Sequence, residues 1–246
     1  MASILSLVAG GEIRAAFEPP APEVRGTRWR LPGELPAPPA PTLSEIFAPS
    51  ARDGGATGFL LGQIDARRPL LWVQQRMAML EAGRIYPPGL SASGFPLGDI
   101  IHVEARDARA VLWAMEEGLR CSGLGAVIGE TWGDPKALDF TATRRLAVAA
   151  ERHGVAAWLL RLGGSANLSG ARMRWRVTSG PSLAHPLNRQ APGGATWAAE
   201  LFRARGLSPG VWNVSHEAAG ETDHVDLAAT DDDRAVVADR GGQGVA

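Results

Sequence analysis

The 246-residue chain has little of several residue types on which particular protein chemistries depend. It contains one lysine, Lys136, one tyrosine and one cysteine, Cys121. One cysteine excludes an internal disulfide and favours a cytoplasmic location, where thiols stay reduced. Cys121 follows a helical pattern, which predicts a small buried hydrophobic residue. The five histidines are scattered without metal-ligand spacing, so we expect no metal site and no metal cofactor. His102 lies in a predicted strand and is expected to be a buried core residue.

Long hydrophobic runs are also missing from the chain. No stretch approaches the roughly 18 consecutive apolar residues that a membrane helix needs. The first residues lack the positive charge that begins a signal peptide, and their apolar run ends by Gly11. We therefore expect neither a membrane span nor a signal peptide.

The net charge of −1 conceals three regions of different sign. Residues 1–140 carry a net charge of −3, and residues 141–216 carry ten arginines and a net charge of +8. Residues 217–246 contain eight acidic residues and a net charge of −6. A basic block beside an acidic tail is typical of a nucleic-acid-binding face with a tail that is solvated or masks that face. A general bias of the coding sequence toward arginine is the alternative explanation.

Proline is concentrated near the amino terminus, with nine prolines between residues 19 and 49. Because proline cannot continue a regular helix, residues 1–41 are predicted to form a flexible, proline-rich arm. Residues 42–216 are predicted to form the folded core, and residues 217–246 an acidic tail. The apolar residues Ile4, Leu5, Leu7 and Val8 make the arm a candidate docking element.

The predicted core alternates between strand and helix patterns. Apolar runs predict strands at 42–47, 69–75, 99–104, 125–129 and 155–160. Helical spacing predicts helices at 56–67, 108–121 and 138–153, with a short helical turn within 74–82 and a loop at 85–98. This alternation is typical of an α/β protein with a mostly parallel sheet flanked by helices. Strict alternation predicts a half-buried strand at 172–177. Further strands, antiparallel at the sheet edge, are predicted at 196–205 and 210–216, with a short one at 227–229.

Seven short segments, taken together in order and spacing, resemble the ImuA-type proteins of the RecA superfamily. They are Leu-Ser-Glu-Ile-Phe-Ala at 43–48, Leu-Leu-Trp-Val at 70–73, Arg-Ile-Tyr-Pro-Pro-Gly-Leu at 84–90, Gly-Leu-Arg-Cys at 118–121, Leu-Asp-Phe-Thr-Ala-Thr-Arg-Arg-Leu at 138–146, Arg-Met-Arg-Trp-Arg-Val at 172–177 and Glu-Leu-Phe-Arg-Ala-Arg-Gly at 200–206. The resemblance leaves out the first 40 residues and the acidic tail. It implies a RecA-like sheet and an SOS-induced accessory role in translesion DNA synthesis and mutagenesis.

The resemblance also implies partners. ImuA-type proteins work beside a Y-family-polymerase-like protein and an error-prone replicative polymerase subunit, and recombinase-like cores self-associate. SOS cell-division inhibitors, which bind a division protein, share this degenerate core and provide the alternative function. The basic block favours the first function, since a division inhibitor needs no DNA-binding face.

The nucleotide chemistry of a recombinase is not supported by the residues at the corresponding positions. The P-loop position, residues 48–57, offers the amides of Gly54 and Gly55 but lacks the phosphate-binding lysine. The catalytic glutamate is replaced by Gln74 or Gln75, and an amide cannot act as a general base. Glu130 could replace the missing acid only after a one-residue shift, which would turn its side chain to the other face of the sheet. We therefore expect a degenerate P-loop and a protein that is not an enzyme. An ATPase that uses an atypical site is the remaining alternative.

Arginines supply the candidate single-stranded DNA site. Arg161 lies where the resemblance implies a DNA-binding loop. Arg172, Arg174 and Arg176 alternate along a predicted strand, so they share one face at a spacing of about 6.6 Å, near that of backbone phosphates. The residues between them, Met173, Trp175 and Val177, then face the core. A solvated edge strand is the alternative interpretation.

Overall fold

The structure, a computed structural model, describes residues 35–38, 40–185 and 187–215. Most of the predicted arm, the acidic tail and the predicted strand at 227–229 lie outside the described residues. The elements follow one another as β1 (Leu43–Ala48), α1 (Gly55–Leu61), β2 (Leu70–Gln75), α2 (Arg76–Ala82), α3 (Pro87–Ala92), a 3-10 turn (Leu97–Asp99), β3 (Ile100–Ala105), α4 (Ala108–Leu119), β4 (Ala126–Trp132), α5 (Phe140–His153), β5 (Ala156–Leu162), β6 (Met173–Ser179), β7 (Thr196–Ala204) and β8 (Gly210–Ser215).

The eight strands form one sheet in the order β3-β2-β4-β5-β1-β6-β7-β8. The first six strands in this order pair in parallel with their neighbours. β7 pairs antiparallel to β6, and β8 pairs antiparallel to β7. The prediction of an α/β fold with a mostly parallel sheet and carboxy-terminal antiparallel strands is confirmed. None of the helices in the described part of the chain has the length and apolarity needed to cross a membrane.

Two hydrophobic cores lie on opposite faces of the sheet. The first face is covered by α1 and by residues of α2 and α3, and its core contains Trp72, Ile128 and Trp175. The second face is covered by α4 and α5, and its core contains Val127 and Leu159. Because helices cover both faces, the central strands β2, β4 and β5 are buried at almost every position.

Alternate side chains of β6 point into the core, as the sequence pattern predicts. Met173, Trp175 and Val177 are buried in the first core, so this prediction is confirmed. The ring of Trp175 packs 5.1 Å from that of Phe59 and 5.6 Å from that of Trp212. β6 lies between β1 and β7 in the interior of the sheet, so the alternative interpretation of an edge strand is wrong.

Two predicted element boundaries are wrong, because glycine, aspartate or proline residues determine the local backbone there more strongly than hydrophobic periodicity does. The helix predicted at 56–67 ends at Leu61, because Gly62 terminates it and Asp65 then binds the backbone amide of Arg67 in a turn. The loop predicted at 85–98 contains α3. Its two leading prolines occupy the first turn of the helix, where a missing N–H costs nothing.

Two predictions of burial are also wrong. Cys121 is exposed because α4 ends at Leu119 and the chain turns outward before β4. His102 was expected in a buried strand, yet β3 is the edge strand of the sheet and His102 is only half-buried. Its Nε2 atom has no hydrogen-bond partner within the described residues, and burial lowers the pKa of the imidazole, with a contribution from Arg84.

Candidate functional site

A cavity of about 370 Å³ lies at the carboxyl ends of the central parallel strands. Ligands of open α/β sheets bind at this end. The cavity is bordered by the loop between β1 and α1, by the ends of β2 and β4, and by the segment that joins α2 to α3. It therefore occupies the place where the resemblance implies a nucleotide site.

The backbone amide at the start of α1 is already bound by a side chain of this protein. Asp53 Oδ1 accepts hydrogen bonds from the Gly55 amide at 2.9 Å and from Ser179 Oγ at 2.5 Å. Partial burial alone would raise the pKa of Asp53, but the hydrogen bonds from Ser179 and Gly55 outweigh it and hold the pKa below its usual value. The carboxylate of Asp53 thus binds the amide of Gly55, one of the two amides that the P-loop position offers.

Gln74 is fully engaged in hydrogen bonds that hold the structure together. Its Nε2 atom donates to both carboxylate oxygens of Glu130, at 3.1 and 3.0 Å, and reaches the carbonyl oxygen of Gly83 at 3.4 Å. Its Oε1 atom accepts from the amide of Ile85 at 3.0 Å. Gln74 therefore joins the end of β2 to β4 and to the segment after α2, and both polar atoms of its amide have partners within the protein.

Glu130 lies on the cavity side of the sheet, so the expectation that its side chain would face the other side is wrong. It is paired in register with Gln74, and its Oε2 atom also accepts from Trp72 Nε1 at 3.1 Å. Burial raises the pKa of Glu130, against the opposing hydrogen bonds from Gln74 and Trp72. The Glu130 carboxyl is therefore a structural group, held in place by hydrogen bonds from Trp72 and Gln74.

Gln75 performs a similar role one residue later. Its Oε1 atom accepts a hydrogen bond from the backbone amide of Trp132 at 2.9 Å, which fixes the end of β4. The two residues at the place of the catalytic glutamate are therefore both structural. Within the described residues, no group of three or more His, Cys, Asp or Glu side chains is placed to hold a metal ion.

The arginines predicted to bind DNA lie on the second face of the sheet, and they differ in exposure. Arg161 belongs to β5 and not to the following loop, and its side chain is 0% exposed. Its Nη2 atom donates to Asp134 at 2.8 Å, and its Nη1 atom lies 4.0 Å from Glu45. The expectation of an accessible Arg161 is wrong, because β5 continues to Leu162.

Arg174 is also buried, at 3% exposure, so the three arginines of β6 do not form an open row. Its Nε atom donates to the fully buried carboxylate of Glu45 at 2.7 Å. Its guanidinium lies 5.2 Å from the ring centroids of both Phe47 and Phe202. Arg174 is therefore a core ion-pair residue placed between two aromatic rings.

Arg172 and Arg176 remain at the surface, with side chains 31% and 52% exposed. Each is ion-paired: Arg172 with Glu151 at 2.6 Å, and Arg176 with Glu200 at 2.9 Å. Arg203 and Arg205 are exposed on the neighbouring strand β7 and the turn that follows it. The accessible positive charge of this part of the sheet thus comes from four arginines at its surface.

The loops after β4 and β5 provide further polar surface. Lys136 and Asn167 are exposed there, and Trp132 is 39% exposed. Three carboxylates that no sequence pattern singled out hold these parts of the structure together: Glu45 binds Arg174, Asp53 binds Gly55 and Ser179, and Asp134 binds Arg161. A glutamate within a predicted buried strand, as at Glu45, is a local signal from which a buried cation could have been predicted.

No protein-family model matches this chain. The proteins named Protein ImuA in two strains of Caulobacter vibrioides are each 33% identical to it over 165 residues, covering 63% of this chain and 63% of their own length. The aligned region thus spans less than two thirds of these relatives. The comparison confirms the resemblance to ImuA-type proteins.

One of the solved structures that align with this chain is that of SulA from Pseudomonas aeruginosa. It is 21% identical to this chain and aligns with 49% of it and 97% of the SulA chain, at a TM-score of 0.37. A superposition this loose supports no conclusion about fold or function.

Proposed function

We propose that this protein is a non-catalytic accessory factor in SOS-induced translesion DNA synthesis and mutagenesis, acting in the cytoplasm. The observation that carries the proposal is the 33% identity to the ImuA proteins over 165 residues. The proposed scaffold is RecA-like, consistent with its central parallel sheet and with the cavity at the carboxyl ends of the strands.

The contacts around the cavity support a role without ATP hydrolysis. Asp53 occupies the amide at the start of α1, and Gln74 uses its amide to bind Glu130 and the backbone. Lys136, the one lysine, follows β4 and does not border the cavity. The carboxylates and the amide of Gln74 at this site bind one another, so none is placed as a general base for hydrolysis. Arg52 and Arg84 are the cations that line the cavity, and the P-loop lysine is missing.

The proposed DNA-binding surface is the second face of the sheet at β6 and β7, continued by the loops after β4 and β5. Arg172 and Arg176 are its proposed phosphate contacts, together with the exposed Arg203 and Arg205. Surface ion pairs contribute little to stability, so Glu151 and Glu200 can give up their arginines to phosphate at low cost. Arg174 supports this surface from below through Glu45 and Phe202.

Protein partners complete the proposal. We propose binding to a Y-family-polymerase-like protein and to an error-prone replicative polymerase subunit, with self-association through sheet edges or outer helices. Residues 1–41 and 217–246 are proposed to be an arm and a tail, although Leu35 of the arm is buried in the first core. Removing residues 1–40 should then weaken complex formation in a pull-down, and an unchanged complex would remove the arm from the proposal.

The experiment that tests the function is a genetic one. Deleting the gene should lower the frequency of ultraviolet-induced mutations, and the wild-type chain should restore it. A variant with both Arg172 and Arg176 replaced by glutamine should restore it less well. Unchanged mutation frequency after deletion would contradict the proposal, and filamentous growth on overproduction would favour the division-inhibitor alternative.

A further inference from the structure

Asp134, in the loop after β4, is bound as an anionic ligand would be bound. Its Oδ1 atom accepts one hydrogen bond from Arg161 Nη2 and one from the backbone amide of Ser165, both at 2.8 Å. A guanidinium and a backbone N–H that converge on one oxygen are a common way to hold a carboxylate or a phosphate. Partial burial alone would raise the pKa of Asp134, but Ser165 and Arg161 together hold it below its usual value.

Glycines let the loops after β4 and β5 approach each other closely around this contact. Gly133 and Gly163 each adopt a φ of 64°, and the amide of Gly133 donates to the carbonyl oxygen of Leu162 at 2.8 Å. A Cβ atom at Gly164 would lie 2.8 Å from the carbonyl oxygen of Gly133 and 3.2 Å from Arg161 Nη2. Glycines at these positions therefore let the two loops meet directly over the guanidinium.

The two members of the ion pair differ in their access to solvent. The side chain of Arg161 is 0% exposed, whereas that of Asp134 is 43% exposed. Nε and Nη1 of Arg161 have no hydrogen-bond partner within the described residues. Asp134 thus covers a buried cation from the solvent side, and Arg161 uses only part of its capacity as a donor.

We propose that the Arg161 guanidinium and the Ser165 amide form a binding site for a backbone phosphate of single-stranded DNA, which the Asp134 carboxylate occupies as an internal competitor. The inference rests on the proposed DNA-binding function. A phosphodiester and a carboxylate each carry one negative charge, so their exchange leaves the charge balance around Arg161 and Glu45 unchanged. Once released, Asp134 lies on an exposed loop beside Lys136, where water solvates it.

The test uses Asp134→Asn in the full-length protein. Asparagine keeps the shape and an oxygen that accepts from Arg161 and Ser165, but it removes the competing charge. Asp65→Asn is the matched control. Asp65 is also an exposed carboxylate, at 44%, that accepts from a guanidinium and a backbone amide, both of Arg67, and it lies in the turn before β2.

Fluorescence anisotropy with a labelled single-stranded oligonucleotide, at several salt concentrations, gives the first measurement. We expect D134N to bind more tightly than both wild type and D65N. We also expect the log–log salt slope of D134N to steepen by about 0.7, the contribution of one further phosphate. Equal gains in D134N and D65N would show a general charge effect and overturn the proposal, as would no gain in either.

Inorganic phosphate gives a measurement that does not depend on DNA. In D134N, added phosphate should shift the amide resonance of Ser165 saturably at constant ionic strength, whereas wild type should need a higher concentration. No shift in D134N would overturn the proposed site. A shift without any DNA binding by either protein would overturn both the DNA ligand and the proposed function, leaving a site for free phosphate. DNA binding that depends on Arg172 and Arg176 but is the same in D134N and D65N would overturn this inference alone.

Discussion

The carboxylate of Glu130 lies 3.0 and 3.1 Å from Nε2 of Gln74, and the two side chains lie opposite each other on neighbouring parallel strands. In this pair, Gln74 supplies hydrogen-bond donors to a buried carboxyl. An ionised glutamate at position 74 would have no donor for this contact. Gln74, which stands where the resemblance implies a catalytic glutamate, thus also stabilises the end of the sheet.

Replacing Gln74 with glutamate should therefore destabilise the protein without creating an ATPase. The new carboxyl would face Glu130 in a buried site, and an uncompensated buried charge costs about 3–5 kcal/mol. Gln75→Glu is the control, because a carboxylate there still accepts from the Trp132 amide, and its cost should be about 1 kcal/mol. Urea unfolding and an ATP hydrolysis assay check both points. A Gln74→Glu protein with wild-type stability and measurable turnover would show an active site inactivated by one substitution.

Glu130 should give the folded protein a distinct dependence on pH. Burial raises its pKa above the ordinary value of 4.5, so between these values the folded state binds more protons than the unfolded state. The free energy of unfolding therefore contains a component that is fully present below pH 4.5 and falls as pH rises through the folded pKa. Glu130→Gln should remove this component, whereas replacement of the exposed Glu117 on α4 should leave it. Identical pH profiles for Glu130→Gln and wild type, measured by urea unfolding, would place the dependence elsewhere.

Much of the sheet follows from local sequence. Apolar runs marked β2, β4 and β5 because helices cover both faces of these strands. Strict alternation marked β6, and Trp175 lies in the core as predicted. These elements were predictable because burial on each face leaves a periodic pattern in the residues themselves.

The ion pairs could not be predicted in this way, because they depend on strand order. Glu45 and Arg174 are 129 residues apart, and they meet because β1 and β6 are neighbours. Arg161 looked like the start of a loop because an arginine interrupted an apolar run. In the folded sheet, Glu45 and Asp134 compensate its charge, so the strand continues through it.

Trp175→Ala should cost about 3–5 kcal/mol, as expected for loss of a fully buried large aromatic side chain. Its exposure is 1%, and its ring contacts those of Phe59 and Trp212. Trp113→Ala on α4 is the matched control, because that side chain is 65% exposed, and its cost should be about 0.5 kcal/mol or less. Chemical denaturation of the two variants gives the comparison, and equal costs would contradict the assigned core.

Arg174→Met should destabilise the protein by about 3–5 kcal/mol, because it leaves the buried Glu45 carboxylate without its closest cation. Arg161, at 4.0 Å from Glu45, is too distant to replace the contact at 2.7 Å. The double variant Glu45→Met with Arg174→Met should recover part of that loss, because it removes both charges together. Thermal or urea unfolding of the single and double variants measures the coupling, and purely additive losses would argue against the pair.

Replacing Arg172 and Arg176 together with glutamine should weaken DNA binding while preserving the fold. Their ion pairs are partly exposed, so each contributes little to stability, about 0–1 kcal/mol. If each contacts one phosphate, the magnitude of the log–log salt slope for single-stranded DNA should fall by about 1.4. The control replaces Arg67 and Arg106, which are also exposed and ion-paired but lie away from β6, before β2 and after β3. Fluorescence-anisotropy titrations at several salt concentrations measure the salt slope of each variant. An unchanged slope in the first variant, or equal reductions in both, would remove β6 from the DNA-binding surface.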